Sequence, residues 1–289
     1  MAERVAVLGS TGMAGHVVSL YLDEQGYDVY RASRSERKTA KSAPVDAADF
    51  SALSDWLEGA QPDVIINCIG LLQKACEAFP AKAVLLNAYL PRWLEEKYKS
   101  SGTKIIHLST DCVFSGERGG YTEKDLPDGR TMYDRSKALG EIDNEKDLTF
   151  RMSIIGPDID EKGTGLFNWF MAQSLEISGY RRAIWNGVTT IELARGIAAA
   201  MREDLCGLYQ LAAGEPIDKY HLLVLCKENF HKDISIVPSD SVVLNKSLCN
   251  TRTDFPFTVR SYPEQISDMA AWVLEHREKY PHYKMDVEG

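Results

Sequence analysis

The sequence predicts an α/β fold, a Rossmann-type doubly wound parallel sheet with a smaller interleaved lobe. Three observations predict it. The chain opens with a short apolar run, Val5-Ala-Val-Leu8, that breaks at Gly9-Ser-Thr-Gly12-Met-Ala-Gly15 and passes into a helical pattern. Continuous apolar runs of strand length then alternate with helical stretches to about residue 152, as buried parallel strands do. Beyond that point the alternation loosens, and it resumes over about 183–214.

The bulk properties agree with this class. The chain has 289 residues, enough for one large α/β domain or a larger and a smaller lobe. It is 44% hydrophobic and 26% charged, the ordinary balance of a globular protein with a sizeable core. The formal charge of −9 argues against a nucleic-acid surface. No apolar run approaches the ~20 residues that span a bilayer, so no membrane partner is expected. Met1-Ala-Glu-Arg leads straight into the first strand rather than into a signal peptide. The six cysteines form no Cys-x-x-Cys pair, so no metal is expected and free thiols in a reducing cytoplasm are. Cys112 has a second reading, as a reactive thiol.

Taken in order, the first unit sets the theme. Strand, glycine turn and helix in that sequence suit a dinucleotide. Gly9 permits the turn, Gly12 lets backbone approach a pyrophosphate, and Gly15 lets the helix pack on the strand. Helix N–H groups, with Thr11 and Met13 beside them, then face the phosphates. His16 reads as a packed or solvated helix residue. The second strand, from Gly26, ends at Ser33-Arg34 with Arg31 and Arg37 near; a hydroxyl and a guanidinium suit a 2′-phosphate, so NADPH is favoured and NADH is the alternative. Asp46 is placed for an adenine amine, and Asp49 reads as the N-cap of a helix through Phe50, Leu53, Trp56 and Leu57. Pro62 to Gly70 reads as a central strand whose end, Cys68-Ile69-Gly70, lies beside the cofactor.

A helix is expected over 81–99, in which Asn87 either is a satisfied polar group or holds a kink or a water. Lys104–Leu108 is the next strand, with His107 buried, and it delivers Ser109-Thr110-Asp111 to the sheet edge. Gly116–Arg130 is a loop. Tyr133 and Lys137 follow on a helix, four residues apart and on one face. A phenol titrates near ~10, and an ammonium beside it brings that value towards working pH. Such a pair hands a proton to a developing alkoxide. Asp147–Ser153 is a further strand. Gly163–Met171 carries an aromatic stripe. Residues 183–188 are extended, 189–201 helical, 207–211 the last sheet strand, 220–230 helical, 233–237 a short strand and 263–280 a final helix, with fraying after Pro281.

Together the Gly9–Gly15 turn, Ser109-Thr-Asp-x-Val-Phe-x-Gly116 and Tyr133-x-x-x-Lys137-x-x-Gly140-Glu141 resemble the extended short-chain dehydrogenase/reductases. More narrowly they are similar to the dTDP-4-dehydrorhamnose reductase subfamily, over about residues 4–215. The resemblance implies Thr110, Tyr133 and Lys137 as the catalytic set, with Lys137 also holding the nicotinamide ribose. It implies substrate contacts from Thr110, Asp111, Val113, Phe114, Trp169 and Thr189. The expected domains are 1–152 with about 183–214 for the dinucleotide, and about 153–182 with 215–289 as the substrate-binding lobe. The expected activity is NAD(P)H-dependent reduction of a keto group on a nucleotide-activated, 4-keto-6-deoxy sugar, with a homodimer as the expected assembly. The alternatives are an epimerase or dehydratase on the same scaffold, or a non-catalytic NADP-binding regulatory subunit. Three positions depart from the subfamily pattern: Asp134 for glycine, Cys112 for tyrosine and Ile154 for tryptophan.

Overall fold

The apolar runs become strands and the periodic stretches between them become helices in the computed structural model, which describes residues 2–283. The first half runs β1 (Arg4–Leu8), α1 (Met13–Glu24), β2 (Asp28–Ser33), β3 (Ser42–Pro44), α2 (Phe50–Ala60), β4 (Val64–Asn67), α3 (Gln73–Ala78), α4 (Pro80–Ala83), a π-helical turn at Val84–Tyr89, α5 (Leu90–Lys97), β5 (Lys104–Leu108), α6 (Met132–Gly140) and β6 (Leu148–Arg151). The second half runs β7 (Ile154–Ile155), α7 (Leu166–Ala172), β8 (Glu176–Tyr180), β9 (Ala183–Trp185), β10 (Val188–Thr189), α8 (Thr190–Arg202), β11 (Gly207–Gln210), β12 (Ile217–Asp218), α9 (Lys219–Asn229), β13 (Ser235–Ser239), β14 (Leu244–Asn245) and α10 (Tyr262–Glu275).

Seven strands form one sheet in the order β11-β6-β5-β4-β1-β2-β3, and its neighbours are parallel throughout. Alternate residues of each strand enter opposite layers. Val5 and Val7 join Val17, Val18 and Leu22 of α1 and much of α8, whereas Ala6 and Leu8 join Leu53 and Leu57 of α2 and Leu90 and Leu94 of α5. The first of these clusters continues through α9 and α10, so both halves of the chain share one core. The shorter strands outside the sheet pair as β10-β7, β12-β9-β14 and β13-β8.

The chain after Pro281 differs from the expected fraying where it is described. Tyr283 is buried, accepts the Asp158 N–H and donates to Asn168 Oδ1, both at 2.8 Å. The remaining residues of that expectation, 284–289, lie outside the described residues. The expected helix over 81–99 is also interrupted: the π turn falls at Val84–Tyr89, with Asn87 inside it.

Candidate active site

Strand order reverses between β1 and β4: β2 and β3 lie to one side of β1, and β4, β5 and β6 to the other. Ligands of doubly wound sheets bind at the carboxyl ends of strands flanking such a switch point. Here those ends carry the glycine turn, Cys68–Gly70 and Ser109–Asp111.

The turn is shaped by backbone crowding. Gly9 has φ +77°, and a Cβ at Gly15 would stand 2.1 Å from the Gly9 carbonyl oxygen, so α1 packs on β1 only with glycine there. Gly12 is different. It is exposed, its φ is −80°, and a Cβ there would meet only the Gly9 oxygen, at 3.3 Å. No side chain caps α1, and no acidic residue stands in its first turn. Clear space before uncapped N–H groups fits a phosphate. Met13 stands beside this opening, its Sδ 2.9 Å from where a Gly165 Cβ would be.

At the end of β2, Thr11 Oγ1 bonds to Ser33 at 2.8 Å and to Ser35 at 2.9 Å. Arg34 is exposed, and Asp46 is exposed beyond the end of the neighbouring β3. Arg31 is not at this edge: it pairs with Asp23 and donates to the Ser19 carbonyl oxygen on the α1 side. Sequence reading also missed Glu36, whose carboxylate accepts from Ser10 at 2.6 Å. On the other flank, Cys68 N–H bonds the Leu8 carbonyl, and a Cβ on Gly9 would lie 3.1 Å from Ile69 Cγ1 and 3.3 Å from the Ile69 nitrogen. Gly70 is exposed. The hydroxyl cluster, the exposed guanidinium and the open glycine position fit a dinucleotide.

Thr110, Tyr133 and Lys137 meet at the same edge. Thr110 is buried at the end of β5, where its Oγ1 accepts the Cys112 N–H and donates to Asp111 Oδ1, both at 3.1 Å. The Tyr133 phenol lies near it on α6. Burial holds that phenol above its ordinary value, Cys112 and Asp111 add to the rise, and the Thr110 hydroxyl opposes it. This corrects the expectation that Lys137 depresses Tyr133. Lys137 Nζ instead donates to the Leu108 carbonyl at 2.6 Å and stands 3.4 Å from His107 Nε2. Burial brings Lys137 down to about 8, against the opposing pull of Glu141.

The surroundings explain three sequence features. Asp134 completes a capping box: it accepts the Thr131 and Arg130 N–H groups, and the Thr131 hydroxyl accepts the Asp134 N–H at 3.1 Å. Asn87 is fully engaged: Oδ1 accepts the Leu71 N–H at 2.7 Å, and Nδ2 reaches the Leu71 carbonyl, Ser136 Oγ and Cys76 Sγ. It thereby ties the segment after β4 to α6. Cys112 is pushed up to about 12, chiefly by burial, which leaves it an inert thiol at neutral pH. A further set was not foreseen. Glu141 accepts Arg151 in two bonds, at 2.8 and 2.7 Å, and Ser109 Oγ at 2.7 Å, all buried.

Three residues expected to touch substrate are engaged within the protein. Val113 and Phe114 are wholly buried, with Phe114 stacked on Tyr121 at 4.2 Å between centroids. Thr189 is buried as the N-cap of α8, accepting the Glu192 N–H while its own N–H goes to Gln265. Apolar packing and capping consume these groups. Asp111 stays at the site; burial raises it, and Lys246 and Lys219 oppose that rise. Trp169 lies on the wall of a cavity of about 620 Å³ that also takes in Leu166, Ile177, Tyr180 and Lys219. Lys219 lies 4.5 Å from the Trp185 ring centroid. It is a site residue that the sequence pattern had not marked.

The family model of the RmlD substrate binding domain matches residues 3–156. The chain belongs to this family. It is 35% identical over 139 residues to a probable low-salt glycan biosynthesis reductase of Haloferax volcanii, covering 47% of this chain and 46% of that one. It is 31% identical over 140 residues to a dTDP-4-dehydrorhamnose reductase of Streptomyces griseus, covering 48% and 43%. It is 28% identical over 141 residues to methionine adenosyltransferase 2 subunit beta of Rattus norvegicus, covering 48% and 42%. The chain thus spans a little under half the length of the curated relatives it matches. The RmlD-type fold itself extends further: a dTDP-4-dehydrorhamnose reductase of Bacillus anthracis, solved in complex with NADP, superposes with TM-score 0.79 at 20% identity over 94% of this chain and all of that one. Among the described residues no helix is long and apolar enough to cross a membrane.

Proposed function

We propose that the chain reduces a keto group on a nucleotide-activated sugar, of the 4-keto-6-deoxy kind, with NADPH preferred over NADH. The observation that carries this reading is the gathering of Thr110 at the end of β5 with Tyr133 and Lys137 of α6, at the same sheet edge as the glycine turn. A bound reduced nicotinamide supplies the hydride. Thr110 orients the substrate carbonyl oxygen by hydrogen bonding, and Tyr133 donates a proton as negative charge builds there. The raised phenol keeps its proton at neutral pH, as a donor must. Gly9, Gly12, Gly15 and the first turn of α1 hold the pyrophosphate, Ser33 and Arg34 the 2′-phosphate, and Asp46 the adenine. The reductase names of the Haloferax and Streptomyces relatives support the reaction class.

The lobe of 153–182 and 215–289 takes the substrate in this reading, because the cavity beside Trp169 and Lys219 is of ligand size. A homodimer is supported by exposed Leu72, Phe79, Val84, Tyr89 and Leu139 on neighbouring helices, a surface native mass would test. Tyr133→Phe is expected to keep NADPH binding and to lose reduction by ~10²–10⁴-fold, the usual worth of positioned acid catalysis. Turnover at the parent rate would sink the assignment.

A second reading, a regulatory subunit, rests on the similarity to methionine adenosyltransferase 2 subunit beta. A stable hetero-complex in a pull-down, with no turnover on any keto sugar, supports it. An epimerase or dehydratase is less well supported: Thr110 is followed by Asp111 and then Cys112, so the second carboxylate of a dehydratase is missing. Tightly retained NAD on purification would reverse that preference.

A further inference from the structure

Lys137 stands against a group that disfavours its charge. His107 lies wholly buried on β5, in register with Asn67 on β4. The backbone orients the Asn67 amide, since Oδ1 accepts the Ile69 N–H at 3.1 Å. That leaves Nδ2 to donate to His107 Nδ1 at 3.2 Å. A ring nitrogen that accepts carries no proton, so the imidazole proton sits on Nε2. Nε2 is the atom 3.4 Å from Lys137 Nζ. An ammonium has three donors and no acceptor. A neutral amine has a lone pair that accepts from Nε2–H while its own N–H goes to the Leu108 carbonyl.

We propose that the Asn67–His107 pair is a positioning device that selects the neutral amine of Lys137 in the cofactor-free protein, so that dinucleotide binding takes up a proton at this lysine. The inference rests on the dinucleotide reading above. Anionic phosphates and ribose hydroxyl acceptors favour an ammonium, so the charge on Lys137 arrives with the ligand that uses it. The other groups facing Lys137 do not cancel the effect. Glu141, the residue that follows its helix, commits its carboxylate to Arg151 and Ser109. Tyr133 on that helix, Cys68 after β4 and Cys76 on α3 are all raised by burial and stay neutral. Burial, with Arg92 on α5, opposes a second proton on His107. Burial lowers Lys137 in the same direction as the imidazole contact.

Two measurements on the full chain test the proposal. Long-range ¹H–¹⁵N spectra of ¹⁵N-histidine-labelled cofactor-free protein are expected to place the His107 proton on Nε2; a proton on Nδ1 overturns it. Calorimetric titration with NADP⁺ at about pH 8.5, in buffers of different ionisation heat, reads proton uptake; phosphate, with pKa₂ near ~6, is silent there. Uptake approaching one proton per site is expected, and Lys137→Met should abolish it. Asn67→Asp offers a carboxylate to Nδ1–H, moves the ring proton and frees Nε2 to accept from an ammonium. Uptake in that variant should fall by more than half. Undiminished uptake in either variant overturns the proposal. Should the parent protein bind no NADP⁺, the cofactor reading falls, and the tautomer spectrum still decides the Asn67–His107 assignment. If Asn67→Asp does not fold, that spectrum and Lys137→Met decide it.

Discussion

Asp134 shows how one side chain separates a helix start from a site. Its carboxylate closes the N-terminus of α6, one residue after the phenol that the site uses. The Thr131-x-x-Asp134 spacing is a capping-box pattern with Asp in place of Glu or Gln, and the subfamily resemblance marks Asp134 only as a departure from glycine. Thr131→Ala should cost about 1 kcal/mol in urea unfolding, the usual worth of a cap. Glu141→Gln should cost more, roughly 3–5 kcal/mol by the same measurement, because it strands the Arg151 guanidinium in the core. Arg151 Nη1 already has no partner among the described residues, so little remains to compensate. At this scale the motif residues were legible because their spacing is local: three glycines in one turn, a tyrosine and a lysine on one helix face. Ser109, Glu141 and Arg151 come from three separate elements, and no local pattern links them. The rise of Tyr133 is not legible in the sequence for the same reason, since the partners that hold Lys137 lie on β5.

Helices near the site are set by where backbone meets backbone. A Cβ on Gly140 would lie 2.0 Å from the Asn87 carbonyl oxygen, so α6 touches the π turn directly. Gly140→Ala should therefore lower stability by about 1–3 kcal/mol, as overpacking does, and lower the thermal midpoint. Asn87→Ala should retain the helix yet loosen the segment after β4, visible as faster amide exchange at Leu71, whose N–H and carbonyl both bond to it. Apolar spacing predicted a helix over this region and could not show the extra residue in its turn. A π turn is fixed by long-range hooks such as Asn87 to Leu71 and Ser136, not by periodicity. The strands of the sheet were easier, because burial on both faces leaves a continuous apolar run. The short strands after residue 153 carry no such signature.

Across the whole molecule, the last described segment is locked to the first helix. His16 Nδ1 bonds the Gly12 carbonyl, and its Nε2 meets the Tyr280 hydroxyl at 2.9 Å, which also accepts Trp272 Nε1–H at 3.0 Å. Burial brings His16 down to about 4. The unfolded chain therefore binds the proton more readily than the folded one. Stability present above about pH 6.5 is lost as pH falls towards about 4, by roughly 3 kcal/mol. Urea midpoints at several pH values would trace this fall, and His16→Gln should flatten part of it; His107, lowered in the same direction, accounts for a further part. The alternating pattern conveys the parallel sheet. It conveyed nothing of this long-range closure, whose partners are 264 residues apart.

That closure bears on how the protein is born. A nascent chain released as far as β6 already owns its glycine turn, Thr110, Tyr133 and Lys137, yet the outer side of α1 still lacks Tyr280 and the helices that cover it. The candidate site is thus translated early and its support late. The helix that frames the glycine turn gains its apolar cover when α8 leaves the ribosome, and its last tie, His16 to Tyr280, only about 80 residues later.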